Sequence, residues 1–257
     1  MTAVLENFYF LSFFAGVLIA MLVTLTGIGG GILWSPFLMV VYRFPPEKAI
    51  TTALFIQMAG MLGGTYQYLK SGRVDLKLAL LYTAFALPMV ILGAFIGERV
   101  GEKVLTVSLG IVAIGVAVLF ISGDDWYGEE VKKRADTKTA LKYGIVPLTT
   151  SILSGLLSVG VGDFIVPVMV KKLKLSMEVA IGTALAIMFV VVTFGAFSHL
   201  LFEGSASWPV LFWAAGGVLL GSFIGSNISE RINDAHLREL FIFVLLFIGI
   251  HMIYTGV

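Results

Sequence analysis

Six long runs without a charged side chain restrict what this sequence can fold into. They span residues 49–69, 78–97, 104–123, 179–202, 204–229 and 240–257. Each is close to the length of about 20 residues that a helix needs to cross the hydrocarbon core of a bilayer. Only 13% of the residues are charged and 58% are hydrophobic, whereas about a quarter of a soluble domain is charged. The sequence therefore predicts an all-α polytopic membrane protein, with the lipid bilayer as its first partner.

The composition also excludes several classes of function. A net charge of +1 provides no basic field for nucleic acid. The absence of cysteine excludes disulfides, thiolate catalysis and thiolate metal ligands. Met1 is followed by no basic segment and no small-residue cleavage site, so we expect the first apolar stretch to be retained as a span. We expect no cofactor, no metal and no catalytic residue.

Two further long apolar runs are interrupted by glycines, and the second contains one charged residue, Asp163. Residues 7–42 would form a continuous helix of about 54 Å, which is too long for one crossing and short for two. The run is broken at TGIGGG (26–31), where so many glycines disfavour helix. Residues 143–170 are broken in the same way at SVGVG (158–162). In both runs we expect a full-length span, a break and then a short half-helix.

The two interrupted runs form a repeat. A shift of 131 residues aligns them without a gap and gives nine identities over positions 29–54. The matched pairs include Gly29 with Gly160, Pro36 with Pro167, Glu47 with Glu178 and Thr52 with Thr183. A shift of 128 aligns GAFIGERVGEK (93–103) with GSFIGSNISER (221–231). We therefore predict a first transmembrane repeat at 1–123, a charged cytoplasmic linker at 124–140 and a second transmembrane repeat at 141–257.

The distribution of Lys and Arg discriminates between two topologies. If the short segments re-enter, the halves are parallel and the basic residues divide nine against eight. If they cross, each half has five segments, the halves are inverted, and the division is thirteen against four. The second division fits the positive-inside rule. It predicts two inverted repeats with eight full-length spans and two short or broken helices, in the cell inner membrane, with both termini extracytoplasmic.

Inverted repeats with paired broken helices are typical of secondary transporters, which bind substrate at the repeat interface. The N-terminus of a half-helix presents free backbone N–H groups that attract anions, and the predicted spans contain no Lys or Arg. The sequence therefore predicts that a small anion is held by backbone and neutral polar groups. We assign substrate binding to Gly29, Gly30, Gly31, Thr52, Gln57, Ser158, Gly160, Gly162 and Thr183. Further candidates are Thr24, Thr26, Ser35, Thr51 and Ser154.

Asp163 follows the second break, and its role is open between three alternatives. The motif GVGDF is also found in intramembrane aspartyl proteases, but catalysis there requires two adjacent carboxylates, and the other aspartates lie in predicted loops. Asp163 could instead cap its own helix, or carry a proton or cation coupled to anion movement. The three histidines are scattered, and we expect His199 and His251 to be interfacial or packing residues. A non-transporting membrane scaffold is a further alternative, and a homodimer remains one option for assembly.

TGIGGGILWSP (26–36) followed by an AITTALF helix resembles the TauE/SafE sulfite-exporter family of permeases. SGLLSVGVGDFIVP, AIGTALA and the GAFIG and GSFIG segments extend the resemblance to about residues 10–255. The family commonly has three glycines in the second cluster, where this chain has Val161 followed by an acid. The resemblance implies export of sulfite or a related organosulfonate. Coupling to an ion or proton gradient is a separate expectation that follows from the intramembrane acid, and it makes Asp163 the candidate coupling residue.

Overall fold

The computed structural model describes residues 8–26, 29–121, 132–202, 204–228 and 234–256. Gly27 of the first glycine cluster and residues 124–131 of the predicted linker lie outside these residues. The described chain contains eleven helices. They are α1 (Leu11–Thr26), α2 (Gly31–Val41), α3 (Pro46–Lys70), α4 (Leu76–Gly97), α5 (Glu102–Ile121), α6 (Thr137–Lys142), α7 (Ile145–Leu157), α8 (Gly162–Lys171), α9 (Met177–Leu201), α10 (Trp208–Ile228) and α11 (Asp234–Gly256).

Five stretches of helix in the described chain are long and apolar enough to cross a bilayer. They are Leu76–Gly97, Glu102–Ile121, Met177–Leu201, Trp208–Gly225 and Glu239–Gly256. The fold is thus that of an all-helical, multi-pass membrane protein. Helix α3 has 25 residues but is more polar, with Thr51, Thr52 and Gln57 on it. The crossing of α3, and the crossing of the bilayer by eight segments in total, remain predictions.

Helices α2 and α8 are short, with 11 and 10 residues, as the glycine breaks predicted. The expectation of full-length spans before the breaks was wrong, because α1 has 16 residues and α7 has 13. In the second half, a turn at Tyr143–Gly144 separates α6 from α7. This turn puts Pro147 in the first turn of α7, where its missing N–H is tolerated, whereas a continuous helix would place it in the interior.

Helices α3 and α9 pack side by side and run in opposite directions. The Phe55 and Phe197 rings lie 5.5 Å apart, and Thr65 Oγ1 donates to the Leu185 carbonyl at 3.3 Å. From the first contact to the second, the chain runs forward along α3, from Phe55 to Thr65, and backward along α9, from Phe197 to Leu185. These two helices occupy equivalent places in the sequence repeat, so the equivalent helices are antiparallel.

Three other helix pairs pack closely at glycines: α1 with α10, α4 with α7, and α5 with α11. Gly217 lies against the Phe13 backbone, Gly93 against the Ile152 carbonyl, and Gly110 against the Gly249 carbonyl. A Cβ at any of these glycines would overlap the neighbouring backbone, so they allow close helix contact. Gly63 differs, because a Cβ there would meet nothing within 4 Å.

The short helices lie inside this helical frame. Residues 29–36, from the first break into α2, are all buried, and so are residues 157–163 from the end of α7 into α8. The two breaks therefore occupy the interior of the protein, where a polar ligand would be enclosed.

Candidate functional site

The two glycine breaks touch each other. A Cβ built on Gly29 would lie 2.8 Å from the Gly160 Cα, and a Cβ built on Gly160 would lie 2.9 Å from the Gly29 Cα. Only glycine permits two backbones to approach this closely. The sequence repeat pairs the same two residues, so each position contacts its own counterpart.

Asp163 reaches from the second break to the first. Its Oδ1 accepts a hydrogen bond from the Gly29 backbone N–H at 2.6 Å, and the residue is only 4% exposed. The side chain of Val161, the N-cap residue of α8, makes no capping hydrogen bond. This contact is not a cap of α8, the helix that contains Asp163, because the donor, Gly29, belongs to the other break. The Asp163 carboxyl group is thus held against the backbone before α2.

Ser158 joins the second break to α2 and α3. Ser158 is the C-cap residue of α7. Its backbone is left-handed (φ 58°), which is unusual for a residue other than glycine. Its hydroxyl lies 2.5 Å from the Ser35 hydroxyl, and its carbonyl accepts from Gln57 Nε2 at 3.0 Å. A Cβ on Gly31 would overlap both the Ser158 carbonyl and the Gln57 amide. The two breaks are therefore joined by contacts on both sides of Gly31 along the chain, at Gly29 and at Ser35.

Three buried polar atoms have no hydrogen-bond partner within the described part of the chain. They are Gln57 Oε1, Ser154 Oγ and Asp163 Oδ2. Gln57 and Asp163 contact the two breaks directly, and the Ser154 carbonyl accepts from the Ser158 N–H one turn away. Buried polar groups are normally satisfied, so a cluster of unpartnered ones marks a place suited to a polar ligand.

Gly30 and Gly162 lie at the starts of α2 and α8. Gly30 is the N-cap of α2, and its carbonyl accepts from the Leu33 and Trp34 N–H groups at 3.1 Å. Gly162 packs against the Met188 side chain of α9. Both residues border the breaks, as predicted.

Thr52 and Thr183, which the repeat pairs, make equivalent contacts with loops of the opposite half. Thr52 Oγ1 accepts from the Ser207 N–H at 3.0 Å, and Thr183 Oγ1 accepts from the Asp75 N–H at 2.9 Å. Both threonines are fully buried. Each hydroxyl thus holds the loop that precedes a helix of the other half. Their predicted part in substrate binding stays a prediction.

Asp75 organises the loop that Thr183 holds. Its Oδ1 caps α4 by accepting from the Leu78 N–H at 3.2 Å, and its Oδ2 accepts from the Ala135 N–H at 2.8 Å. The aspartate is 5% exposed. Its role in the described contacts is therefore to fix the loops between α3 and α4 and before α6.

No pattern in the sequence pairs His199 with Glu98. His199 is fully buried, with Nδ1 at 2.5 Å from Glu98 Oε1 and Nε2 at 2.7 Å from the Gly155 carbonyl. His199 is therefore a packed residue, which is one of the two alternatives expected for it. The one signal that could have drawn attention to it is that a histidine interrupts an otherwise apolar run at 179–202.

These features define a class: a multi-pass helical membrane protein whose two glycine breaks meet in its interior. The sulfite exporter TauE/SafE family matches residues 12–252, almost the whole chain. The chain therefore belongs to the TauE/SafE family of membrane transporters.

Several distant relatives carry the description "Probable membrane transporter protein". YjnA of Bacillus subtilis is 25% identical over 253 residues, covering 93% of this chain and 97% of the relative. A relative from Xylella fastidiosa is 23% identical over 247 residues, covering 94% of both chains. One from Methanocaldococcus jannaschii is 21% identical over 252 residues, covering 93% of this chain and 92% of the relative. No solved structure matches the chain.

Proposed function

We propose that this protein is a secondary transporter that exports a small sulfur oxyanion or sulfonate, with sulfite as the first substrate. The observation that carries the proposal is the Asp163 carboxylate on the Gly29 N–H at 2.6 Å. A carboxylate and a sulfite present similar oxygen acceptors, so backbone N–H groups that donate to one can also donate to the other. The sulfur chemistry itself comes from the family match.

The anion would bind between the two breaks. Backbone N–H groups of Gly29, Gly30 and Gly31 before α2, and of Gly160 and Gly162 before α8, are the proposed donors, with the hydroxyls of Ser35 and Ser158 beside them. The first N–H groups of a helix have no intrahelical partner, which supports this assignment. Gln57 borders the same space through its bond to Ser158. Thr52 and Thr183 remain in the proposal as residues that hold the surrounding loops.

The two halves act in this proposal as inverted repeats. Four paired observations support that architecture. Gly29 contacts Gly160, and α3 runs antiparallel to α9. Arg43 and Lys174, which also pair at a shift of 131, both have a left-handed backbone at φ 53° and 57°. Thr52 and Thr183 make the same bond to a loop of the opposite half.

The inverted arrangement provides a simple route for alternating access. One set of loops is held by Thr52 and Ser207, and the other by Thr183 and Asp75. We propose that the first set faces outside and the second faces the cytoplasm in the cell inner membrane, following the bias of basic residues. Opening one set while the other stays closed would expose the breaks to one side at a time.

Asp163 is the proposed coupling residue. As long as its carboxylate is ionised and bonded to Gly29, it repels a second anion in the same space. Binding of sulfite therefore requires that Asp163 takes up a proton or that the anion brings one. Either path moves a proton together with the anion, which would couple export to the proton gradient.

Flux of sulfite in proteoliposomes tests the function directly. Purified protein should transport sulfite, and an imposed pH gradient should change the rate. Sulfate and acetate serve as control anions of different charge and shape. Folded protein that moves no sulfur oxyanion or sulfonate under any gradient would contradict the proposal.

A further inference from the structure

His199 lies in the last turn of α9, away from the glycine breaks, and both of its ring nitrogens have partners. The His199 side chain is 1% exposed and that of Glu98 is 9% exposed. Nε2 faces the Gly155 carbonyl at 2.7 Å, and Nδ1 faces Glu98 Oε1 at 2.5 Å. Gly155 belongs to the last turn of α7, whose carbonyls lack intrahelical partners. The imidazole therefore joins the ends of α4, α7 and α9.

The hydrogen atoms in this arrangement can be counted. A carbonyl oxygen only accepts, so Nε2 must carry a hydrogen and donate to Gly155. The contact between Nδ1 and Oε1 also requires one hydrogen, carried either by the ring or by the carboxyl group. The pair thus holds two hydrogens. It is either an imidazolium with a carboxylate or a neutral imidazole with a carboxylic acid.

Loss of the shared proton has a structural consequence. The proton would pass to water and leave a neutral imidazole, still protonated on Nε2, beside a carboxylate. Nδ1 and Oε1 would then present lone pairs to each other with no hydrogen between them. Two acceptors cannot stay at hydrogen-bonding distance, so Glu98 must move away from the ring.

We propose that His199 and Glu98 together form a proton-binding site, and that their shared proton holds the end of α4 against α7 and α9. Glu98 is the C-cap residue of α4 and begins the connection to α5. Gly204, in the loop after α9, packs against the Glu98 carboxyl group and the His199 carbonyl. Release of the proton therefore loosens the loops on this face of the protein.

The site is also connected to the glycine breaks. Gly155 lies three residues before Ser158, whose carbonyl and hydroxyl contact Gln57 and Ser35. A change in the bond between His199 and Gly155 acts on the same turn of α7. The connection of this proton to transport rests on the transport function proposed above, whereas proton binding by the pair does not.

The other charged groups near this end of the molecule are few. Helices α7 and α10 carry no titratable side chain, and neither does the part of α9 after Glu178 except His199. The ends of the neighbouring elements carry Glu47 and Lys48 at the start of α3, Arg99 after α4, Glu102 and Lys103 at the start of α5, and Asp163 at the start of α8, and Glu203 follows α9 in the sequence. Arg99 stacks on the Phe95 ring and donates to the Phe95 carbonyl, so it is engaged on its own helix.

The test uses the full-length protein with only one histidine. The chain has three histidines, so His236→Asn and His251→Asn leave His199 as the sole imidazole. Nitrogen NMR of histidine-labelled protein in detergent or nanodiscs then reports both ring nitrogens across a pH series, without any transport assay. We expect Nε2 to keep its hydrogen throughout while the Nδ1 signal changes with pH.

Glu98→Gln is the diagnostic variant, because its amide can donate to Nδ1 without a titratable proton. In this variant we expect the pH-dependent change at Nδ1 to differ from that of the protein with Glu98, because the ring then has no acidic partner. An Nε2 that loses its hydrogen, or a titration that is the same with and without the Glu98→Gln change, would overturn the proposal. The protein that retains Glu98 remains decisive by itself if the variant does not fold.

Sulfite flux connects the site to transport. One proton changes a two-state population by at most about tenfold per pH unit, and Glu98→Gln should flatten this part of the pH profile. If NMR shows the shared proton and flux is absent from every variant, the transport proposal fails and the proton site stands. If flux keeps its pH profile in Glu98→Gln, the proton is not coupled to transport.

Discussion

The Gly29 backbone N–H donates to Asp163 Oδ1 at 2.6 Å, across the contact between the two glycine breaks. An acid from one half of the chain therefore contacts the backbone at the break of the other half, where we propose that the anion binds. The buried carboxyl group thus has one backbone donor, and its second oxygen is left without a partner in the described chain.

Asp163→Asn should remove the part of the pH dependence of transport that comes from Asp163. The amide oxygen can still accept from Gly29, so the breaks stay together, but the side chain no longer binds or releases a proton. Initial rates of sulfite flux across a pH series measure this effect. Asp136→Asn is the matched control, because Asp136 is an exposed N-cap that bonds Thr139, and asparagine caps helices equally well. A pH profile unchanged by Asp163→Asn would assign the residue a purely structural role.

Gly29→Ala and Gly160→Ala should each destabilise the protein and stop transport. The added methyl group would lie within 3 Å of the opposing backbone Cα, which side-chain rearrangement cannot relieve. Overpacking of this kind costs about 1–3 kcal/mol. Gly63→Ala is the control, because a Cβ there meets nothing within 4 Å. Thermal unfolding in detergent and sulfite flux are the measurements, and wild-type behaviour of both variants would contradict the close contact.

Thr52→Val and Thr183→Val should lower stability more than they lower substrate affinity. Each removes the acceptor of a buried loop N–H, from Ser207 or Asp75, at a cost of about 1–3 kcal/mol. Thr→Ser at the same positions keeps the acceptor and should restore most of that stability. Thr51→Val is the control, since the Thr51 hydroxyl bonds only the Glu47 carbonyl in the described contacts. A loss of sulfite affinity without loss of stability would instead place these threonines in direct contact with substrate.

Gln57→Glu should weaken sulfite binding. The change removes the donor to the Ser158 carbonyl and adds an acceptor beside the breaks, where a second negative charge opposes the anion. We expect the apparent affinity to fall by roughly tenfold, which corresponds to about 1.4 kcal/mol. Gln67→Glu, on an exposed position of the same helix, is the control. Equal effects from both variants would mean that charge on α3, and not contact with the site, is responsible.

The sequence repeat identified two glycine breaks that meet in the structure. Gly29 and Gly160 are matched by a fixed shift, and the structure brings their backbones together. The half-helices after them were also predictable, because glycine clusters disfavour helix wherever they occur. These features depend on local composition and on duplication, both of which can be read from a single chain.

The directions of side chains were not predictable. Asp163 contacts Gly29 only because the start of α8 turns its second residue toward the other break. Thr52 and Thr183 point to loops, although their repetition suggested a ligand. The partners of Asp163 and His199 are 134 and 101 residues away, at Gly29 and Glu98. Such contacts are set by the packing of helices from both halves, for which periodicity gives no signal.

The contact of Gly29 with Gly160 also constrains how such a chain can evolve. In a half-length ancestor that formed a dimer, the two copies of this glycine would have faced each other. Any substitution would then have added two side chains to the same contact. After fusion the two positions mutate separately, yet each is still confined by the other's main chain. Divergence between the halves must therefore accumulate around this pair, as the single acid at Asp163 illustrates, while the pair itself stays without side chains.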